Sequence, residues 1–290
     1  MSIFQFSNIN KSEEIIQRTW NDFRSALAIG SFSYDDIVCA KSRTTFLKVF
    51  DDLFSNCHQE LDITMQAALS PTTTLMRAGK LNPNDPEPTY SRFIPNKEYI
   101  TDHNRFSPPG VEWLYLAVGD FDTAKKCALK ECRASSGDTF GLCEFRLSEN
   151  YAVRTLVDLT IANTISYEEI NERLRRAESE IKNREKDKIL MSISKKGYVK
   201  FPDVSDIKYE FSKWMAYTYV KLLSEQIFVP VETEDKKLMY SPFQCMAQYF
   251  LLLGYEGIIY SSTVFPEGKN VVLFDKDAAN PIGKIIKQRI

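Results

Sequence analysis

Apolar residues recur at helical spacing over 11–29, where Ile15, Ile16, Trp20, Phe23 and Leu27 fall on one face with Thr19. That pattern predicts an amphipathic helix with Ser12 as its cap. Phe46, Val49, Phe50, Leu53 and Phe54 repeat the same spacing and predict a second helix over about 44–66. The pattern then breaks. Seven prolines fall between Ser70 and Gly110, with NPNDPEP at the centre. Proline fixes φ and removes a donor, so this stretch reads as loop with short extended segments. Long ordered loops often carry function.

Strand-like runs follow. WLYLAV (113–118) reads as a buried strand, with Asp122 capping a helix that runs to about Arg133. GLCEFRL (141–147) and VRTLVDL (153–159) read as further strands. Residues 166–195 carry interleaved acids and bases at helical spacing, which suits a solvated helix better than a nucleic-acid arm. A helix over about 205–226 places Phe211, Trp214, Met215, Tyr219 and Leu222 in a core stripe. IFVPV (227–231) reads as a short strand. SPFQCMAQYFLLLGY (241–255) reads as a helix with Ser241 as cap and Pro242 at its first position. GIIYSST (257–263) and NVVLFD (270–275) read as closing strands.

Composition narrows the possibilities. A hydrophobic fraction of 43% and a charged fraction of 26% over 290 residues describe a globular chain able to bury its own core. A net charge of −2 gives no basic excess for nucleic acid, but a small anion pocket needs only two or three cations. No apolar run is long enough to span a bilayer, and the first residues lack a secretory pattern. The expectation is a cytoplasmic protein that contacts neither nucleic acid nor membrane. The six cysteines, Cys39, Cys57, Cys127, Cys132, Cys143 and Cys245, form no C-x-x-C pair. They read as reduced, mostly buried thiols with no metal site. No internal repeat, dinucleotide-binding glycine motif or P-loop is evident.

Candidate chemistry starts at RFSPPGVEWLYLAV, where Arg105 precedes a rigid turn that feeds a buried strand. A guanidinium placed there can grip a phosphate with its planar fork; the alternative is an ordinary surface arginine. Tyr115 alternates with Leu114 and Leu116 and so faces away from them, either into core or against a flat ring. Glu131 ends a helix, where the macrodipole disfavours an acid, so local structure supplies no reason for it. Ser261 and Ser262 close an apolar strand. His103 lies two residues before Arg105 and can border a site, whereas His58 reads as structural.

Taken in order, LMRAGK with Arg77, RFSPPGVEWLYLA, the KEC segment with Glu131, LVDLT, YSPFQCMAQYFLLLGYEGIIYSS and NVVLFD resemble the RES domain family. The resemblance covers about 70–160 and 227–276. It implies an α+β fold, with an ADP-ribosyltransferase-like mixed or antiparallel sheet. Residues 1–69 would be an N-terminal helical extension. Residues 70–290 would be the catalytic domain, carrying a helical insert at about 164–226. The resemblance further implies an enzyme that degrades NAD⁺ by hydrolysis or phosphorolysis, with NAD⁺ as substrate and no cofactor. Many members are toxins paired with an antitoxin, so an antitoxin or regulatory protein is an implied partner. Self-association through the added helices is a further one.

By the same resemblance Glu131, Arg77 and Ser262 are the catalytic positions. Arg105, Tyr115, Tyr260 and Asn270 are the substrate-binding ones. The arginines would hold the pyrophosphate and Tyr115 would pack on nicotinamide or its ribose. Glu131 would bind the ribose hydroxyls and favour positive charge at the anomeric carbon, and Ser262 would orient the nicotinamide amide or the ribose. The chain departs from the family in its extra front segment, its insert and the KKCALKEC context of the acid. Glu144 and Ser261 are therefore the fallback acid and hydroxyl. Transfer of ADP-ribose to a macromolecule, or a silent NAD-binding or interaction module, are the competing readings.

Overall fold

A computed structural model describes residues 12–28, 45–82, 87–194, 205–228 and 236–290. It divides into two compact units, one within 1–26, 38–61 and 161–226 and the other within 27–37, 62–160 and 227–290. The front segment and the insert, expected as separate additions, thus fall in one unit. Residues 62–69, expected in the extension, fall in the other.

The first unit is helical: α1 (Ser12–Ala28), α2 (Thr45–Cys57), α5 (Tyr167–Ser194) and α6 (Ser205–Phe228). Its core follows the helical periodicity of the sequence. Ile16, Trp20 and Phe23 are buried on α1, and Phe46, Leu47, Phe50, Leu53 and Phe54 on α2. Trp20 meets the Phe46 ring at 5.1 Å, and Phe46 meets Tyr219 of α6 at 5.3 Å. The Trp20 indole N–H donates to Gln226 at 3.1 Å, so the largest core side chain keeps its polar atom satisfied. On α5 Ile170, Leu174 and Ala177 are buried among the described side chains. Its outer face carries i,i+4 pairs such as Lys182–Glu178. The expected Ser12 cap falls on a side chain outside those described, as does Cys39.

The second unit holds an eight-stranded sheet: β1 (Asp62–Thr64), β2 (Thr74–Leu81), β3 (Leu114–Gly119), β4 (Thr139–Leu147), β5 (Thr155–Asp158), β6 (Gly257–Ser261), β7 (Lys269–Leu273) and β8 (Ala279–Arg289). Their order is β1-β5-β6-β7-β3-β2-β4-β8. Only β5 and β6 run parallel; every other pair is antiparallel. Among the described residues helices α3 (Met65–Ala68), α4 (Phe121–Glu131) and α7 (Lys236–Leu252) belong to the same unit. The period-two alternation sends Leu75, Leu114, Leu116, Val271 and Leu273 into one core. Met76, Ala78, Ala117, Phe140 and Leu142 go to the opposite face, under Ala124, Cys127 and Ala128 of α4.

Several expectations are corrected. The helix expected over 44–66 stops at Cys57, because Asp62–Thr64 pair with β5 and Thr64 then caps α3, accepting from the Ala67 N–H. The cap of α4 is Asp120, whose carboxylate accepts from Thr123 N at 2.9 Å; Asp122 sits in the first turn. Helix α7 starts at Lys236, so Pro242 lies inside it, and Ser241 bonds back to the Lys237 carbonyl instead of capping. Ile227 and Phe228 close α6, and the rest of the expected strand over 227–231 lies outside the described residues. The proline-rich stretch contains a full strand, β2, while 83–86 lie outside the described residues. Strand β8 carried no sequence signal. As an edge strand it tolerates Pro281, a left-handed Gly283 and its lysines.

Among the described residues no helix is long and apolar enough to cross a membrane. Cys57, Cys127, Cys143 and Cys245 are buried free thiols; Cys132 is exposed.

Candidate active site

Arg77, between Met76 and Ala78, alternates to the sheet face away from α4, while β7 and β3 bring the side chains at positions 270 and 115 to the face that α4 packs against. There a cleft of about 300 Å³ opens, lined by Arg77, Tyr115, Glu131, Tyr260 and Asn270 among others. That volume lies at the lower end of small-molecule sites. Ala78, Ala117 and Ala128 form an apolar part of its wall, and Asn104 of the loop before β3 borders it.

Arg77 is half-buried on β2. One of its N–H groups donates to the Phe93 carbonyl at 3.0 Å. Burial lowers its pKa, opposed by Cys132 and Tyr115. Arg105 is also half-buried and lies against two aromatic rings of α7, with its guanidinium carbon 5.3 Å from the Tyr240 centroid and 5.6 Å from that of Phe243. Burial lowers its pKa, and Tyr240, Tyr260 and Glu131 oppose the shift by favouring the cation. Among the described residues neither arginine makes a salt bridge, and Arg105 makes no hydrogen bond. Buried cations are ordinarily paired with an acid, so this arrangement suits an anionic ligand.

Glu131 is the carboxylate at the cleft. Its Oε1 accepts from Ser262 Oγ at 2.7 Å and from Asn270 Nδ2 at 2.6 Å. No bond to Oε2 is present among the described residues. Ser262 is fully buried, and its oxygen also accepts from the N–H groups of Val264 at 3.3 Å and Phe265 at 3.1 Å. With those lone pairs engaged, the hydroxyl proton points to Glu131. Ser262 therefore acts on the carboxylate, and it is not among the residues that line the cleft. Asn270 is nearly fully buried. Its Oδ1 accepts from the Cys127 thiol at 3.5 Å.

Tyr115 shares a 2.9 Å hydrogen bond with Ser107, and burial raises its pKa. Tyr260 packs edge-on against Phe106 at 4.9 Å; burial first, then Glu131 and Tyr115, raise its pKa well above the usual value. Both phenols stay neutral at physiological pH. His103 does not line the cleft. Its Nδ1 lies 3.3 Å from Gln244 Nε2, and the same amide donates to the Asn104 carbonyl at 2.8 Å, which ties this loop to α7. His58 lies in a 3-10 turn of the helical unit. Of the fallback positions, Glu144 pairs with Met76 in the sheet and Ser261 pairs with Lys269. The groups that bond each other are Glu131 and Ser262.

Sequence reading missed Cys127, Gln244, Tyr240 and Phe243. The last three stand in the YSPFQ segment, which predicts a helix start and carries part of the family resemblance but no site assignment. Cys127 stands one turn before Glu131, a spacing that puts both on one helix face. Among the described residues no group of three His, Cys, Asp or Glu is placed to hold a metal ion. No protein-family model, curated protein or solved structure matches this chain.

Proposed function

We propose that this chain is an NAD⁺-degrading enzyme of the RES type, cleaving the nicotinamide–ribose bond by hydrolysis or phosphorolysis on an ADP-ribosyltransferase-like scaffold. The observation that carries the reading is the pair of arginines that make no salt bridge among the described residues, Arg77 lining the cleft and Arg105 near its carboxylate, Glu131. A pyrophosphate supplies the anion that such cations need, and a ribose supplies hydroxyls for the free side of that carboxylate. The largely antiparallel sheet is compatible with the scaffold.

In this reading Arg77 and Arg105 hold the pyrophosphate and the alanine-lined wall takes the flat nicotinamide ring beside Tyr115. The C1′–N bond breaks with its electron pair moving to the pyridinium nitrogen, which leaves as neutral nicotinamide. The carboxylate of Glu131 faces the ribose as positive charge grows on C1′. Water or phosphate then adds to C1′, and water loses a proton in doing so. Positioning and charge stabilisation supply most of the acceleration, because the leaving group is already a good one. A cytoplasmic enzyme that consumes NAD⁺ needs restraint, so a paired antitoxin belongs to the same proposal.

The test is incubation of purified protein with NAD⁺, with and without phosphate. Release of nicotinamide with ADP-ribose or its 1″-phosphate is the expected result, and Glu131→Gln should lower the rate by about two orders of magnitude or more. Label retained on macromolecules from a lysate would favour ADP-ribosyl transfer. Tight NAD⁺ binding without turnover would overturn the enzymatic reading.

A further inference from the structure

Two buried groups, Asn270 and Cys127, stand behind Glu131 in a row. Asn270 can present either its NH₂ or its C=O to the carboxylate, and only the first is attractive. A second group, on the other side of the amide, supports that choice. Cys127, fully buried on α4, has its sulfur 3.5 Å from Asn270 Oδ1. The acceptor-only carboxylate takes Nδ2 at 2.6 Å, and the protonated thiol, a weak donor, favours the amide oxygen on its own side and so supports the same orientation. The thiol's other acceptor, the Lys269 carbonyl, is farther off at 3.9 Å, and the space around the sulfur is tight. Gly268 comes so close that a Cβ there would sit 2.7 Å from the Cys127 sulfur and 2.7 Å from the Phe265 ring. Burial, with Glu131 adding to it and a Ser262 hydrogen bond opposing, pushes the thiol up to about 11, so it keeps its proton at physiological pH.

We infer that Cys127 is a positioning residue for the reaction: it fixes the Asn270 amide, which with Ser262 commits Glu131 Oε1 and reserves Oε2 for substrate. The catalytic consequence rests on the function proposed above, whereas the orientation of the amide stands apart from it. Without the thiol the amide oxygen loses a partner and the amide turns more freely, so the donor to Glu131 is held less firmly. The effect reaches the reacting ribose and not the phosphate grip, so it falls on kcat rather than on KM.

The experiment is a double-mutant cycle combined with an observation of the amide itself. Cys127→Ala should lower kcat for nicotinamide release about fivefold, the scale of one weak thiol hydrogen bond, with KM held within about twofold. In an Asn270→Ala background the same change should cost nothing further, because its route to Glu131 is gone. An equal loss in both backgrounds, or no loss in the first, would overturn the inference and leave Cys127 as packing. In parallel, ¹⁵N-asparagine labelling follows the Asn270 side-chain amide, assigned by its disappearance in Asn270→Ala. The wild-type pair should exchange slowly with solvent, and Cys127→Ala should speed that exchange at least about tenfold. An unchanged amide signal would overturn the inference whatever the kinetics. If wild-type protein releases no nicotinamide while the amide responds as expected, the proposed function fails and the orienting role of Cys127 survives.

Discussion

Arg77→Met separates a binding cation from a structural one. Methionine keeps an unbranched stem on β2 and removes the guanidinium. In the ligand-free protein the change loses a single hydrogen bond, to the Phe93 carbonyl, worth about 1 kcal/mol net. Against this it removes a half-buried charge that has no acidic partner among the described residues and whose pKa burial lowers, a replacement that is often neutral or stabilising. The two effects are comparable and opposite, so Tm should stay within about 3 °C of wild type, given about 2–4 °C per kcal/mol at this size. Activity should behave otherwise. Two lost charge-assisted bonds to phosphate oxygens, at about 1.5 kcal/mol or more each, correspond to about two orders of magnitude in kcat/KM. Arg77→Lys keeps the charge without the planar fork and should fall between. Initial rates of nicotinamide release and a calorimetric Tm on the same samples make the comparison. A kcat/KM within about threefold of wild type, or a Tm drop of about 8 °C, would refute the anion-binding assignment and make Arg77 a structural residue.

Other perturbations probe the parts that hold the site. Ser262→Ala takes the acceptor from the Val264 and Phe265 N–H groups and a donor from Glu131; it should cost about 2 kcal/mol in denaturant unfolding and lower kcat more than it raises KM. Gly257→Ala would put a Cβ 2.2 Å from the Val272 carbonyl oxygen between β6 and β7. The backbone there cannot give way, so a loss of about 3 kcal/mol or more is expected from urea midpoints. In the helical unit, burial acts to raise the Glu60 pKa, but hydrogen bonds from Tyr209 and Lys213, with the Lys213 charge, outweigh it and the net shift is downward. A carboxylate lowered in the folded state stabilises above its unfolded value, near 4.5, and that stability fades as pH falls through the lower folded value. Glu60→Gln should therefore lower Tm at pH 7 and flatten its decline below about pH 4.5, and parallel pH curves for both proteins would contradict this.

Much of the secondary structure could be read along the chain, and the reason differs by element. Trp20, Phe23, Phe46 and Phe50 recur at helical spacing because each helix buries one face, and the structure places them in one aromatic cluster. Leu114 and Leu116 alternate with Tyr115 because a strand presents its two faces in turn. The extent of α2 and the strand β8 could not be read the same way. Asp62–Thr64 become a strand only because Thr155–Val157 offer a partner, and β8 pairs along β4 despite Pro281 and Gly283.

The site divides along the same line. Local pattern alone marked Glu131 as an acid with no structural reason at a helix end, and Arg105 as a cation on a rigid turn. It assigned no particular partner to either. Bringing Glu131, Ser262 and Asn270 within hydrogen-bond distance required β6 and β7 to lie beside each other and α4 to pack across the sheet. Cys127 has no local mark at all, since a buried cysteine on a helix looks like any small apolar residue. The chain itself determines periodicity, caps and turns, because these depend on neighbours a few residues away. Which oxygen of a carboxylate is occupied, and which cation lacks an acid, depends on groups more than a hundred residues apart in sequence, as Glu131 and Asn270 are, and only the folded chain decides it.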